Sequence, residues 1–181
     1  TQYTSSAASD VYKRQETDIL KSRIIASEFS KFKIPTPMGG QGIDMLVPTL
    51  LELGTEQQKE KYIKPTLHGE MIWCQGYSEP NAGSDLASLQ TKAELINGEW
   101  VINGQKIWTS TAQYAHMMFC LVRTEPDASK HAGISYLLIP MDTPGIEIRP
   151  LVDMTLKAGF NEVFFTDVKI PETNIVGSRG E

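Results

Sequence analysis

Ser78-Glu-Pro-Asn-Ala-Gly-Ser-Asp85 gathers into one short loop the residue types that hold anions and cofactors. A strand-like run, Trp73 to Tyr77, leads into the Ser78 hydroxyl, and Pro80 fixes the turn. Gly83 permits close backbone approach or positive φ. Ser84 or Asp85 is placed to cap a short following helix, Asp85-Leu-Ala-Ser-Leu89. A loop feeding a helix N-terminus leaves N–H groups free, and these suit a phosphate or pyrophosphate. The same composition is also that of a plain turn, so the loop alone does not decide. It is neither a Walker loop nor a GxGxxG fingerprint.

Further on stands Trp108-Thr109-Ser110. Taken alone, Trp108 reads as a core residue after a hairpin. Ser78 and Ser110 read equally as strand-end hydroxyls that satisfy nearby backbone groups. The cysteines, Cys74 and Cys120, form no CxxC pair and read as buried free thiols. His68, His116 and His131 lie far apart and near no carboxylate cluster, so no metal site is expected and His116 reads as structural.

The elements that position these residues change character along the chain. Residues 16–71 read as helical. Ile25, Phe29 and Phe32 fall on one helix face, and Ile43, Leu46, Val47, Leu50 and Leu51 form an apolar stripe. Pro35 and Pro37 imply an extended break. Pro48 is expected to kink the second helix or shift its start, and Gly54 to stop it. Thr55-Glu-Gln-Gln58 has the form of a capping box and opens a new helix that ends near Gly69.

From about Met71 the pattern turns to short strands. Asn97-Gly98 and Asn103-Gly104 are each a hairpin signal. Met117 to Val122 is an apolar run too short for most helices and reads as a strand buried on both faces. Ile134–Ile139, Ile146–Ile148 and Val163–Phe165 read as further strands. The expected fold class is α+β: a partial helical segment followed by an antiparallel β-barrel or sandwich domain. Residues 72–171 are expected to form that domain, and 172–181 the start of a linker. Residues 1–15 differ in composition from the rest and read as a non-native or poorly ordered leader.

The net charge is -5 at pH 7, and no basic block exceeds two residues, which argues against nucleic acid as a partner. No apolar run approaches the roughly 18 residues of a membrane span, and no signal peptide is visible.

The combination of motifs is more specific than any one of them. Trp73-Cys-Gln-Gly-Tyr-Ser-Glu-Pro-Asn-Ala-Gly-Ser-Asp85 closely resembles one stretch of the acyl-CoA dehydrogenase family. Ile102-Asn-Gly-Gln-Lys-Ile-Trp-Thr-Ser110 resembles a second. Asn161-Glu-Val-Phe-Phe-Thr-Asp-Val-Lys-Ile-Pro171 looks like the strand that closes the family's β domain. The resemblance covers roughly residues 16–181: the end of the N-terminal helical domain and the whole middle β domain.

That resemblance implies an FAD enzyme that oxidises acyl-CoA to trans-2-enoyl-CoA. In the family a glutamate takes the Cα proton and the flavin takes the Cβ hydride. It also implies an electron-transfer flavoprotein as partner, a homo-oligomer for the full-length protein, and a cytoplasmic or mitochondrial-matrix location. Carried over by position, Gln75, Gly76, Tyr77, Ser78, Gly83 and Ser84 would line the flavin and pyrophosphate. Ser84 would also meet the acyl-CoA. Trp108, Thr109 and Ser110 would pack on and bond the flavin ring, with donors near N5 tuning its potential. Glu79 reads as structural, because the family's base lies elsewhere, in a C-terminal helical domain that this chain lacks. Asp153 and Glu162 read as solvated or turn residues. The chain departs from the family mildly at Ser78, Asn81 and Ser110, and more at Met154–Gly159. Taken alone it is expected to be inactive. Open alternatives are a sister acyl-CoA oxidase or flavin monooxygenase, and a non-catalytic β binding module.

Overall fold

A computed structural model of the chain describes residues 19–33 and 40–180. The leader and the Pro35–Pro37 break lie outside the described residues. The helices are α1 (Ile19–Lys31), a π-helical turn over Gly42–Leu46, α2 (Val47–Leu53) and α3 (Glu56–Leu67). Eight strands follow: β1 (Trp73–Gly76), β2 (Lys92–Ile96), β3 (Glu99–Ser110), β4 (Met117–Arg123), β5 (Ile134–Pro140), β6 (Ile146–Leu151), β7 (Phe160–Pro171) and β8 (Ile175–Val176). The class is α+β, as the sequence implied.

Local signals explain the helical part. Thr55 Oγ1 accepts from the Gln58 N–H, and Gln58 Oε1 accepts from the Thr55 N–H, which completes the capping box. Gly69 takes positive φ, 71°, just past α3. Pro48 sits in the first turn of α2, where its missing N–H costs no hydrogen bond, so it starts the helix and does not break it. The helical expectation for α1 holds, and of the face read from the sequence Phe29 is half-buried while Ile25 and Phe32 are exposed.

The strands form one sheet in the order β6-β7-β3-β2-β4-β5-β8, with β1 paired to β4. Pairing is antiparallel except that β1 runs parallel to β4 and β2 touches β4 in parallel at Lys92–Arg123. The all-antiparallel expectation is corrected at those two places. The family-like strand Asn161–Pro171 lies in β7, between β6 and β3. Residues 172–176, read as linker, hold a short turn and β8, which pairs with β5.

Strand β4 has no polar member before Arg123 because both its faces are covered. Met118, Cys120 and Val122 enter one core with Ile102, Leu137, Ile139, Val163 and Ile170. Met117 and Phe119 point the other way, into a second core with Leu46, Leu50, Tyr62 and Trp73. The period of two along a strand produces this division. Each such fully buried side chain contributes about 1.5–3 kcal/mol. The helices thus clamp β1, β4 and β5 from outside, which holds the start of the Ser78 loop at a fixed place.

Only one Asn-Gly pair makes a hairpin. Asn97 and Gly98 both take positive φ, 53° and 81°, between β2 and β3. Asn103-Gly104 lies inside β3 instead, at a register shift against β7. Asn103 exchanges two hydrogen bonds with Asp167, side chain to side chain at 3.0 Å and Asp167 N–H to Asn103 Oδ1 at 2.9 Å. Gly104 is required there. Its φ is +149°, and a Cβ would lie 2.6 Å from Thr91 Oγ1.

Candidate flavin-facing wall

Strand β3 is the spine of the site. Its Lys106 side chain is fully buried and meets Glu79 of the Ser78 loop, Nζ to Oε1 at 2.8 Å. Glu79 Oε1 also accepts from the Thr91 N–H at 2.9 Å, and Oε2 from the Gln90 N–H at 2.6 Å. Burial pushes the Glu79 carboxyl up; the Lys106 ammonium and the N–H donors outweigh that and hold it below the usual carboxylate range. Lys106 Nζ further donates to the Tyr77 carbonyl at 3.2 Å. The next residue, Ile107, donates its N–H to the Ser78 carbonyl at 2.9 Å. Within the loop, Glu79 and Ala82 exchange backbone bonds around Pro80-Asn81.

Immediately after this lock β3 bulges. Lys106 faces Val163 and Thr109 faces Asn161, so two residues of β3 oppose Glu162 alone. Trp108 sits in the bulge at φ +60°, a region costly for a bulky residue. Trp108 is 60% exposed, and among the described ring pairs its ring meets only Phe160, edge-on with centroids 5.9 Å apart. A strained backbone that turns a large aromatic face outward suits a planar ligand surface. Asn161 fixes the bulge from β7: its Nδ2 donates to the Thr109 carbonyl at 2.9 Å and to Gln113 Oε1 at 2.6 Å. The Thr109 hydroxyl points into the fold, buried and without a hydrogen-bond partner.

Past the bulge, Ser110 and Thr111 form one side of a cleft of about 370 Å³. The other walls are Gly40–Ile43, Thr66, Gly69 and Met71–Trp73. The start of the π-helical turn, Gly42 and Ile43, lines this cleft, and such turns often mark functional sites. Gly42 keeps it open, since a Cβ there would lie 2.7 Å from the Trp73 ring. The Trp73 indole is itself pinned by its N–H donating to Thr66 Oγ1 at 2.8 Å. Gln41 Oε1 is buried in this wall with no partner. A cleft with a buried acceptor on one wall and Ser110 on the other, two residues along β3 from an exposed aromatic ring, fits a planar heterocycle with polar edges.

The remaining expected residues are distributed around this wall. Gln75 stands on β1, with Nε2 3.7 Å from Met45 Sδ. Gly76 is buried, and a Cβ would lie 2.5 Å from Met118 Sδ, so a larger residue there would have to displace the Met118 side chain. The Tyr77 ring packs edge-on against Phe119. Gly83 and Ser84 are exposed at the loop tip, away from the cleft lining. The helix expected after Asp85 is a single 3-10 turn, Leu86–Ser88, with no side-chain cap. Asp85 instead accepts from Ser88 Oγ and pairs with Lys130. The helix-N-terminus reading of the loop is therefore corrected; a turn that short aligns too few N–H groups.

Lys106, Gln41 and Asn161 were not singled out from the sequence. Asp153 accepts three bonds from its own turn, as read, while Glu162 holds Gln105 Nε2 at 2.9 Å. His116 Nδ1 accepts the Ile72 N–H at 3.0 Å, a structural role. Cys74 and Cys120 are free and buried, and burial pushes the Cys120 thiol up to about 11. Among the described residues no group of His, Cys, Asp or Glu is arranged to hold a metal ion. No described helix is long and apolar enough to cross a membrane.

Residues 74–168 match the family model described as acyl-CoA dehydrogenase, middle domain. The chain is 47% identical over 154 residues to acyl-CoA dehydrogenase IpdE1 of Mycobacterium tuberculosis, covering 85% of this chain and 40% of the relative. Its structure is similar to that of the ChsE4-ChsE5 complex from Mycobacterium tuberculosis, with TM-score 0.79 and 34% identity over 94% of this chain and 44% of that one. It is similar also to a steroid ACAD, with TM-score 0.75 and 37% identity over 77% of this chain and 36% of that one. The chain thus spans less than half the length of these relatives. On a matched middle domain and a relative at this identity, the chain belongs to the acyl-CoA dehydrogenase family.

Proposed function

We propose that this chain supplies the flavin-facing wall of an FAD-dependent enzyme that oxidises an acyl-CoA thioester to its trans-2-enoyl form. The observation that carries the reading is the Trp108 bulge: an exposed ring on strained backbone, set between the locked Ser78 loop and the Ser110 cleft. Bound FAD would supply the acceptor for the hydride leaving Cβ. The residues of this chain bind and orient. Trp108 covers the ring face and keeps water from it. Ser78 and Ser110 hold the polar edge of the ring, where donors raise its electron affinity. Gln75, Gly76 and Tyr77 line the ring's flank; Gly83 and Ser84, at the loop tip, face the pyrophosphate and the acyl-CoA. Thr109, buried and bonded to Asn161, holds Trp108 and Ser110 on either side of it in place.

The described cleft lining contains no carboxylate. The base for the Cα proton accordingly comes from outside this wall, in the full-length protein, which we read as a homo-oligomer that passes electrons to an electron-transfer flavoprotein. The chain of 181 residues alone is predicted to be inactive. The similarity to a steroid ACAD makes a steroid-derived acyl group the first substrate to try. The test is the visible spectrum of the purified full-length protein, the identity of the cofactor released on denaturation, and anaerobic bleaching by acyl-CoA. A protein that stays colourless in excess FAD would sink the reading. An oxidase working on the same wall would be recognised by oxygen uptake without an added acceptor. Stoichiometric flavin and acyl-CoA-dependent bleaching in the isolated chain would overturn the predicted inactivity.

A further inference from the structure

We propose that Glu79 and Lys106 are positioning residues that set the Ser78 loop against the Trp108–Ser110 segment for cofactor binding, an inference that rests on the flavin reading above. Neither touches the cleft. Lys106 is fully buried and Glu79 nearly so. Their bonds nevertheless converge on the two halves of the wall. Glu79 holds the Gln90 and Thr91 N–H groups with its two oxygens and Lys106 Nζ with one of them. Lys106 holds the Tyr77 carbonyl, and Ile107 holds the Ser78 carbonyl. Residues 77 to 79 are thereby tied to 106 and 107, the residues directly before bulged Trp108. Without the pair, the Ile107–Ser78 bond is the remaining tie of this set.

A purely structural role accounts for the arrangement poorly. Two buried charges are a weak means of stabilising a core, because desolvation offsets their attraction, and an apolar pair of similar volume is often as stable. What an ion pair gives that an apolar pair does not is direction: a fixed ammonium that can bond a carbonyl on the neighbouring strand-end and a carboxylate that can bond two successive N–H groups. These are the bonds seen here. They tie the loop at residues 77–79 to β3 directly before Trp108. A small displacement of groups that bond a ligand is enough to lose binding, so the first requirement is a support that does not slide.

The test uses the full-length protein and four forms: wild type, E79D, E79Q and the neutral double variant E79Q/K106M. FAD dissociation constant, thermal midpoint and flavin reduction potential are measured for each. The expected result is that the double variant recovers a midpoint within a few degrees of wild type while E79Q alone is destabilised. FAD binding in both E79D and the double variant stays at least tenfold weaker than wild type, with a shifted potential. FAD binding within threefold of wild type in E79D or in a folded double variant would overturn the positioning role and leave the flavin reading standing. A wild type that binds no FAD would overturn both. Should the double variant fail to fold, E79D keeps the charge, shortens the arm by one methylene, and decides by the same thresholds.

Discussion

At the scale of single residues, the wall depends on side chains that never reach the cleft. Glu79 was legible as structural, since the family's base lies elsewhere. Its partner Lys106 was not, because they lie 27 residues apart and nothing in local pattern links them. Removing one member leaves an uncompensated buried charge, so K106M is expected to cost about 3–5 kcal/mol in denaturant unfolding. The pair also sets an acid limit. Glu79 is held below its ordinary value of 4.5, so its stabilisation is complete above that pH and is lost as pH falls through the folded value. Unfolding between pH 7 and about 3 should therefore show a loss below 4.5 that is smaller in E79Q. Trp108 is the converse case: its type and motif were legible, but its +60° backbone was not. Glycine relieves that strain, so W108G should keep stability within about 1 kcal/mol of wild type while FAD binding weakens at least tenfold.

At the scale of elements, β3 carries the site: a hairpin at its start, a register shift against β7 at Asn103-Gly104 in its middle and the Trp108 bulge near its end. The hairpin at Asn97-Gly98 was legible from turn chemistry. The identical dipeptide at Asn103-Gly104 was misread because its pairing partner, Asp167, comes from β7, and no local signal announces it. Gly104 has both a closed space and positive φ, so G104V should destabilise by on the order of 3 kcal/mol and lower the thermal midpoint. The capping box on α3 was fully legible, since all its atoms lie within four residues. T55A should cost about 1 kcal/mol by denaturant unfolding. The expected helix after Asp85 failed for the opposite reason: a composition that suits a cap does not ensure enough residues to propagate a helix, and Lys130 claims the carboxylate.

At the scale of the molecule, the α+β class and most strands could be read from the switch in apolar period near Met71. The clamp of helices on β1, β4 and β5 could not, although the all-apolar run of β4 was its trace: a strand without a polar member must be covered on both faces. The parallel pairing of β1 with β4 was hidden because strand partners across a long excursion leave no mark in either segment. That pairing lays the start of the Ser78 loop beside β4, while β3 approaches from the other direction. The two motifs therefore converge in space although about thirty residues separate Ser78 from Trp108 and Ser110. The measurement that tests this most directly is an FAD titration of the full-length protein followed by tryptophan fluorescence, compared between wild type and W108F. Saturable quenching in wild type, with most of its amplitude lost in W108F, is the predicted result. Equal quenching in both, or none in wild type, would contradict a flavin seated against Trp108.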